Sequence, residues 1–539
     1  MGTWTNKIVT NVYVIGGFAA IAGIMFGFDI GSNSGVIGTW QYQEFFNRPD
    51  ALLQGGINGA LSAGCFVGAL CAGFPADRFS RKYTLIGASA LFIIGSILQA
   101  AANGVPMLCC GRVLNGMYIV RVHTTAWKGE FNGCEMIMIG LSVGITSMVV
   151  PLYQSEIAPK EIRGRIVAVQ QWSITWGIMI SFWIQYGCQF INSTAAWRIP
   201  WAIQGVPAVI LVAGMWAFPF SPRWLADHNR MDEAIRVLAD IHGKGDPNHP
   251  RVQLEIREIE ATIKFDREQA SHRYADLLKP GMAYRVSLGV CLQIWQQLTG
   301  MNIIMFYVVF MFEQAGIGDS QEATLLASGI NYVVNVVMTI PAILYVDKWG
   351  RRYTMIFGAL GMSLFLWVVG GLLSRGHYVI NPTTGRYQVE DLGTPTANGI
   401  VACVYLFVAC FATTWGPLGW IYPAEIYPLR VRAVAVSMST AANWLFNWVL
   451  NFVVPLLMEE IRYGLYMLFA GFNFLMALHV FIAYPETKGY TLEEMDIVFQ
   501  HNPRRRIPRE VIDREMAEKY HTDQVTGADS SNEPKIEEV

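Results

Sequence analysis

The chain has 539 residues, 53% of them hydrophobic and only 15% charged, well below the roughly 25% charged residues of soluble domains. Its formal net charge of −2 removes any electrostatic case for nucleic-acid binding, and a mean hydropathy of +0.33 marks a membrane protein. The nine cysteines (Cys65, Cys71, Cys109, Cys110, Cys134, Cys188, Cys291, Cys403 and Cys410) fall mostly in apolar segments without disulfide-framework or metal-ligand spacing. They read as small packing residues, and no metal or cofactor is expected.

A membrane-crossing helix needs about 20 largely apolar residues. Such segments occur near 12–33, 55–75, 83–102, 163–188, 198–219, 283–313, 323–346, 353–373, 398–424, 430–456 and 463–484, and one more, interrupted, lies between 106 and 156. The apolar run at the start is read as a retained first span, because no small-residue cleavage site follows it. The expected fold is an all-α membrane protein with twelve transmembrane helices. Its domains are an N-terminal six-helix bundle (1–219), a cytoplasmic helical linker (220–282), a C-terminal six-helix bundle (283–484) and a cytoplasmic tail (485–539) that is disordered toward its end, its polar character beginning at Asn502.

Sidedness follows from lysine and arginine in the short loops. One side carries Arg78, Arg81, Lys82, Lys160, Arg163, Arg165, Lys348, Arg351, Arg352, Arg430 and Arg432, and the other only Arg48, Arg198, Arg375, Arg386 and Arg462. The richer side is cytoplasmic and holds both termini. Asn192-Ser193-Thr194 then forms a glycosylation sequon on the outer side.

The chain also repeats itself. YQSEIAPKEIR (153–163) recurs as YPAEIYPLRVR (422–432), and DRFSRK (77–82) as DKWGRR (347–352), with offsets of 270 positions from Asp77 to Asp347 and 269 from Glu156 to Glu425. Two six-helix halves of like orientation, enclosing a site between them, are a transporter architecture. Acids and arginines duplicated at the same loops are expected to interlock as a cytoplasmic gate formed by Asp77, Arg78, Arg81, Glu156, Arg163, Asp347, Arg351, Arg352, Glu425 and Arg432. The simpler alternative is that the cations only mark the inner side.

The ordered motifs GFDIGSNSGV (27–36), DRFSRK, GR (111–112), YQSEIAP, PFSPRWL (219–225), QQLTGMN (296–302), DKWGRR, GPLGW (416–420), YPAEIYP and PETKG (485–489) cover the chain to about residue 500. On these the chain resembles the sugar porters of the major facilitator superfamily, of the fungal monosaccharide:proton symporter type. Ser80, where the family has Gly, and Phe220, where it has Glu, depart from the pattern and predict a weaker latch in the first half. The resemblance implies sugar binding by Phe26, Gln171, Gln296, Gln297, Asn302, Asn331, Trp420 and Asn443. The chemistry agrees, because amides both donate to and accept from hydroxyls without a charge, and a Trp face covers the C–H surface of a sugar ring. Gly300, between Gln296 and Asn302, predicts a broken helix that points both inward. Interhelical hydrogen bonding is the alternative reading of the same amides.

Asp29 is a carboxylate within the first span, where charge is costly and marks function. The resemblance pairs it with Arg112 for proton coupling, and a static ion pair is the alternative. Residues 117–140 interrupt the fourth span as an apparent insertion, read as an unspliced intron or else a genuine loop. The expected function is import of a monosaccharide, hexose or pentose, with a proton by alternating access. A facilitated uniporter and a non-transporting sugar sensor are the alternatives. No nucleophile–base pair or phosphate loop points to an enzyme. The expected partners are the sugar, the proton and the lipid bilayer, with the protein acting as a monomer in the plasma membrane.

Overall fold

The computed structural model describes residues 10–36, 39–49, 51–105, 107–108, 139–268, 277, 279–314, 321–380, 387–390, 393–428, 431–492, 494–501 and 508–520. Among these, nine helical segments are long and apolar enough to cross a membrane: Val12–Ser32, Gly56–Arg78, Arg81–Ala100, Ala195–Met215, Leu326–Trp349, Arg351–Leu373, Gly393–Ile426, Arg432–Met458 and Gly464–Ala483. They are the first, second, third, sixth and eighth to twelfth spans. The helix Ile139–Ile157, the helix Arg163–Cys188 and the broken helix Pro280–Leu298/Met301–Gln314 supply the fourth, fifth and seventh, giving the twelve-helix fold. The fifth and seventh are less apolar because their buried faces carry Gln170, Gln171, Gln185, Gln293, Gln296 and Gln297, which face protein rather than lipid.

The first span packs on the fifth, and the second and third on the fourth. In the second half the seventh packs on the eleventh and the ninth on the twelfth, while the second–eleventh and fifth–eighth pairs join the halves. The glycines of GFDIGSNSGV set the first contact. A Cβ on Gly27 would lie 1.9 Å from the Ile174 carbonyl oxygen, and one on Gly177 would lie 2.4 Å from that of Ile24, so backbones meet where small residues allow. The seventh span breaks at Gly300, whose φ of +87° suits glycine. The tenth breaks at Thr414, between Gly393–Thr413 and Trp415–Ile426.

Between the halves, the helices Pro222–Asp227, Met231–His242 and Pro250–Glu268 bury a small core of their own around Trp224, Leu225, Leu238, Val252, Ile256 and Ile259. A hairpin of His377–Ile380 against Tyr387–Glu390 was not anticipated, its four-residue strands being too short to leave a periodic signal. The tail also differs from expectation. Arg509–Tyr520 is helical, with Ile512 fully buried and Arg509 bonded to both oxygens of Glu494 at 2.6 and 3.0 Å. An apolar anchor, the Arg509–Glu494 pair and a His501–Glu515 contact at 3.0 Å hold a segment whose polar composition reads as disorder. Arg112 and residues 117–138 of the apparent insertion lie outside the described residues.

Candidate functional site

Midway along the spans, buried amides from the two halves converge. Gln171 of the fifth span accepts a hydrogen bond from the Trp420 indole of the tenth at 2.9 Å, a direct link across the halves. On the second-half wall, Asn302 and Gln297 meet across the Gly300 break, the Asn302 amide donating to Gln297 Oε1 at 2.5 Å. Gln297 donates to Asn443 Oδ1 at 2.8 Å, and Asn443 donates to Gln296 Oε1 at 2.7 Å. Phe26 lies edge-on to Trp444 with centroids 4.9 Å apart. Seven of the eight expected sugar residues therefore fall into this region through hydrogen bonds or ring contacts. Asn331 stands slightly apart on the eighth span: its Nδ2 faces Met305 Sδ of the seventh at 4.0 Å, and its Oδ1 accepts no hydrogen bond among the described residues.

Sequence reading missed three further members. Gln293 takes a bond from Asn443 at 2.6 Å and donates to the Gly419 carbonyl at 2.6 Å. Asn447 and Asn451 continue the Asn443 face of the eleventh span at four-residue spacing, a signal that helical periodicity alone carries.

Asp29 is fully buried in the first span. Its expected partner Arg112 is outside the described residues.

At the opposite end from the Asn192 turn, the repeated motifs build two matching clusters. Arg81 bonds Asp77 (3.2 Å) and Glu156 (2.9 Å), and Arg351 bonds Asp347 (3.0 Å) and Glu425 (2.7 Å). Arg81 also donates to the Ala76 carbonyl and Arg351 to that of Val346. Each Glu has a second hydroxyl donor, from Ser221 (2.5 Å) in the first half and Thr487 (2.7 Å) in the second. The PFSPRWL and PETKG motifs thus play equivalent parts. These ion pairs lie within a half. At these clusters Asp347 crosses between the halves to backbone: its Oδ1 accepts from Gly164 N–H (3.1 Å) and its Oδ2 from Arg165 N–H (2.9 Å). Those are free amides of a helix N-terminus, where negative charge is favoured. Arg163 and Arg432 are buried at the starts of the fifth and eleventh spans, and Arg432 donates to the Tyr427 carbonyl at 2.9 Å. Arg352 donates to the Phe481 carbonyl. Arg78 is exposed and lies over the Phe74 and Phe79 rings, so the structure does not bring it into the cluster.

The departures at Ser80 and Phe220 explain one another. In the second half, Glu486 caps the ninth span through the N–H groups of Arg351 (2.8 Å) and Arg352 (3.1 Å). Gly350 is needed there, because a Cβ would lie 2.6 Å from Glu486 Oε2. In the first half, Phe220 removes that carboxylate, and Ser80 keeps the same positive φ (89°) but caps the third span itself, accepting from Tyr83 N–H at 3.3 Å. The Phe220 ring then receives Lys82 and Arg230 on its face, at 5.1 and 5.4 Å.

The linker docks on the first half. His242 places Nε2 3.0 Å from the Ile157 carbonyl and Nδ1 2.7 Å from Glu255 Oε2, and Arg251 bonds Glu161. Burial acts to raise the Glu255 carboxyl, but the His242 hydrogen bond and the charges of His242, Arg223 and Arg251 outweigh it and hold the group below the usual carboxylate range. His479 is a packing residue, accepting from the Trp295 indole at 2.8 Å.

Two repeated six-helix halves that meet around a buried polar site define a membrane transport protein. The profile of the sugar (and other) transporter family matches residues 17–126 and 133–499, and the chain belongs to that family. It is 46% identical over 508 residues to the MFS glucose transporter mfs1 of Aspergillus flavus, covering 92% of this chain and 90% of that protein. It is 41% identical to the high-affinity glucose transporter of Kluyveromyces lactis, covering 93% and 88%. The fold matches the proton:xylose symporter XylE bound to 6-bromo-6-deoxy-D-glucose with a TM-score of 0.75 at 24% identity, over 90% of this chain and 99% of that one. The inward-open form of XylE from E. coli, at 25% identity over 90% and 99%, gives 0.63.

Proposed function

We propose that the chain is a secondary active transporter that carries a monosaccharide into the cell with a proton by alternating access. The observation that carries this reading is the Trp420–Gln171 bond: the two halves touch through sugar-compatible groups at mid-span, so a sugar bound there engages both. Phe26, Gln171, Gln296, Gln297, Asn302, Asn331, Trp420 and Asn443 bind it, the amides exchanging hydrogen bonds with hydroxyls and the indole covering the ring. The glucose transporters among its relatives and the xylose symporter with its fold support a hexose or pentose.

The carboxylate–arginine clusters act as the cytoplasmic gate, with Asp347 as the bond that must break before the inner ends part. Asp29 and Arg112 couple the proton: a carboxylate that trades a cation for a proton as its surroundings change biases the same rocking equilibrium that sugar binding biases. The basic loops support cytoplasmic termini, and the protein works as a monomer in the plasma membrane. Uptake of labelled glucose and xylose in a transporter-deficient cell, with and without a proton uncoupler, tests the reading. Uptake that the uncoupler abolishes is expected, and sugar uptake indifferent to the uncoupler, or none at all, overturns it.

A further inference from the structure

The amides of the second half form a chain that does not stop at the proposed sugar site, and it runs one way. Asn451 Nδ2 donates to Ser62 Oγ (3.1 Å) and Ser62 donates to Asn447 Oδ1 (2.6 Å). Asn447 then donates to Gln297 Oε1 (3.1 Å), Gln297 to Asn443 Oδ1 (2.8 Å), Asn443 to Gln296 Oε1 (2.7 Å), and Gln296 to the carbonyls of Trp415 and Gly416 at the break of the tenth span (both 3.2 Å). Every member is nearly or fully buried, Ser62 at 2%, Asn447 at 7% and Asn451 at 8% exposure. All belong to the second half except Ser62, which the second span contributes. Ser62 lies beside Gly59, whose position packs against Phe452 and Trp448, at the end of the second–eleventh seam away from the charged clusters.

A head-to-tail chain of this kind is polarised, so each bond strengthens the next. Its amides have two orientations and its hydroxyl can rotate, which makes the chain a two-state element. A sugar hydroxyl that takes the bond of Gln297 or Asn443 interrupts the chain in the middle and resets the donors on either side. The donors on the seam side are the Ser62 hydroxyl and the Asn451 amide, both of which reach Asn447 Oδ1, and Asn451 also donates to Ser62 Oγ.

We propose that Ser62, with Asn447 and Asn451, is an outer latch whose closure is wired to sugar occupancy through this amide chain, which makes Ser62 a positioning residue that never touches the sugar. This rests on the reading of the amide cluster as the sugar site. Coupling between occupancy and closure is reciprocal, so loosening the latch lowers both the closure that sugar induces and the apparent affinity for sugar.

The test uses the full-length protein carrying a reporter, Phe452→Cys, on the outer seam. Its labelling by a membrane-impermeant maleimide is read at that residue by mass spectrometry, with and without D-glucose. In the reporter protein glucose slows labelling. Adding Ser62→Ala is expected to speed labelling in glucose by about three- to tenfold, the scale of one buried hydrogen bond, whereas Ser62→Thr, which keeps the hydroxyl, retains protection. Asn451→Ala repeats the loss by a second route. If glucose protects Ser62→Ala and Asn451→Ala as fully as the reporter protein, the latch is overturned while the sugar site stands. If glucose changes nothing in the reporter protein itself, the sugar-site reading falls and the latch with it.

Discussion

Asp347 of one half closes on the backbone of Gly164 in the other, its two oxygens taking the N–H groups of Gly164 and Arg165 at 3.1 and 2.9 Å. A Cβ at position 164 would sit 2.3 Å from that carboxylate, so the contact requires a glycine. The bond uses the positive end of the fifth span, and a partly buried carboxylate at a helix N-terminus is worth up to about 2 kcal/mol. Asp347→Asn and Gly164→Ala are each expected to shift the protein toward the inward-open form by up to about thirtyfold, read as reactivity of a cysteine placed on the cytoplasmic side of the cavity. Unchanged reactivity in both variants would show that the bond does not hold the gate.

The Ser80–Phe220 pairing predicts strong non-additivity. Phe220→Glu alone presses a carboxylate on the Ser80 side chain and lowers thermal stability, while Ser80→Gly alone removes a helix cap. The double variant rebuilds the arrangement seen at Gly350 and Glu486, and an interaction of about 1–2 kcal/mol is expected in the cycle. Simple addition of the two single effects in melts of the purified protein would disprove the compensation.

Asp29→Asn is expected to leave sugar exchange down a gradient while abolishing proton influx on sugar addition. The buried carboxylate is replaced by an amide that keeps the shape and cannot titrate. Proton influx that survives this change rules out Asp29 as the coupling group.

Gln171→Ala and Trp420→Ala each remove one partner of the bond between halves. Both should raise KM for sugar about tenfold or more, since the partner left behind is buried and unpaired. A normal KM in either variant places the sugar elsewhere.

The linker carries a pH dependence of known sign. The folded-state Glu255 carboxyl lies below its ordinary range, so its contribution is complete above the ordinary value of about 4.3 and fades as pH falls through the depressed one. Protection factors for hydrogen exchange in 231–268 should fall in the native protein as pH drops below the ordinary carboxylate value of about 4.3, and Glu255→Gln should remove most of that loss. Flat protection from pH 7 to 3.5 in the native chain contradicts the assignment.

What the residues alone determine here is periodic or repeated. The spans follow from apolar length, the sidedness from arginine placement, and the two halves from motifs that recur at offsets of 270 and 269 positions. Gly300 announces the broken seventh span because only a residue without a Cβ takes that φ freely. Gln296, Gln297 and Asn302 group in sequence as they do in space. The tertiary structure decided the rest, because it depends on contacts between residues hundreds of positions apart. It set Gln171 against Trp420, Ser62 against Asn447, and Asp347 against the backbone amides of the other half as well as the Arg351 its sequence neighbourhood offers. It also left Arg78 on ring faces and folded the tail helix. A hydrogen bond needs a partner within about 3 Å at a suitable angle, and no local pattern fixes such a distance between helices that only the packed bundle brings together.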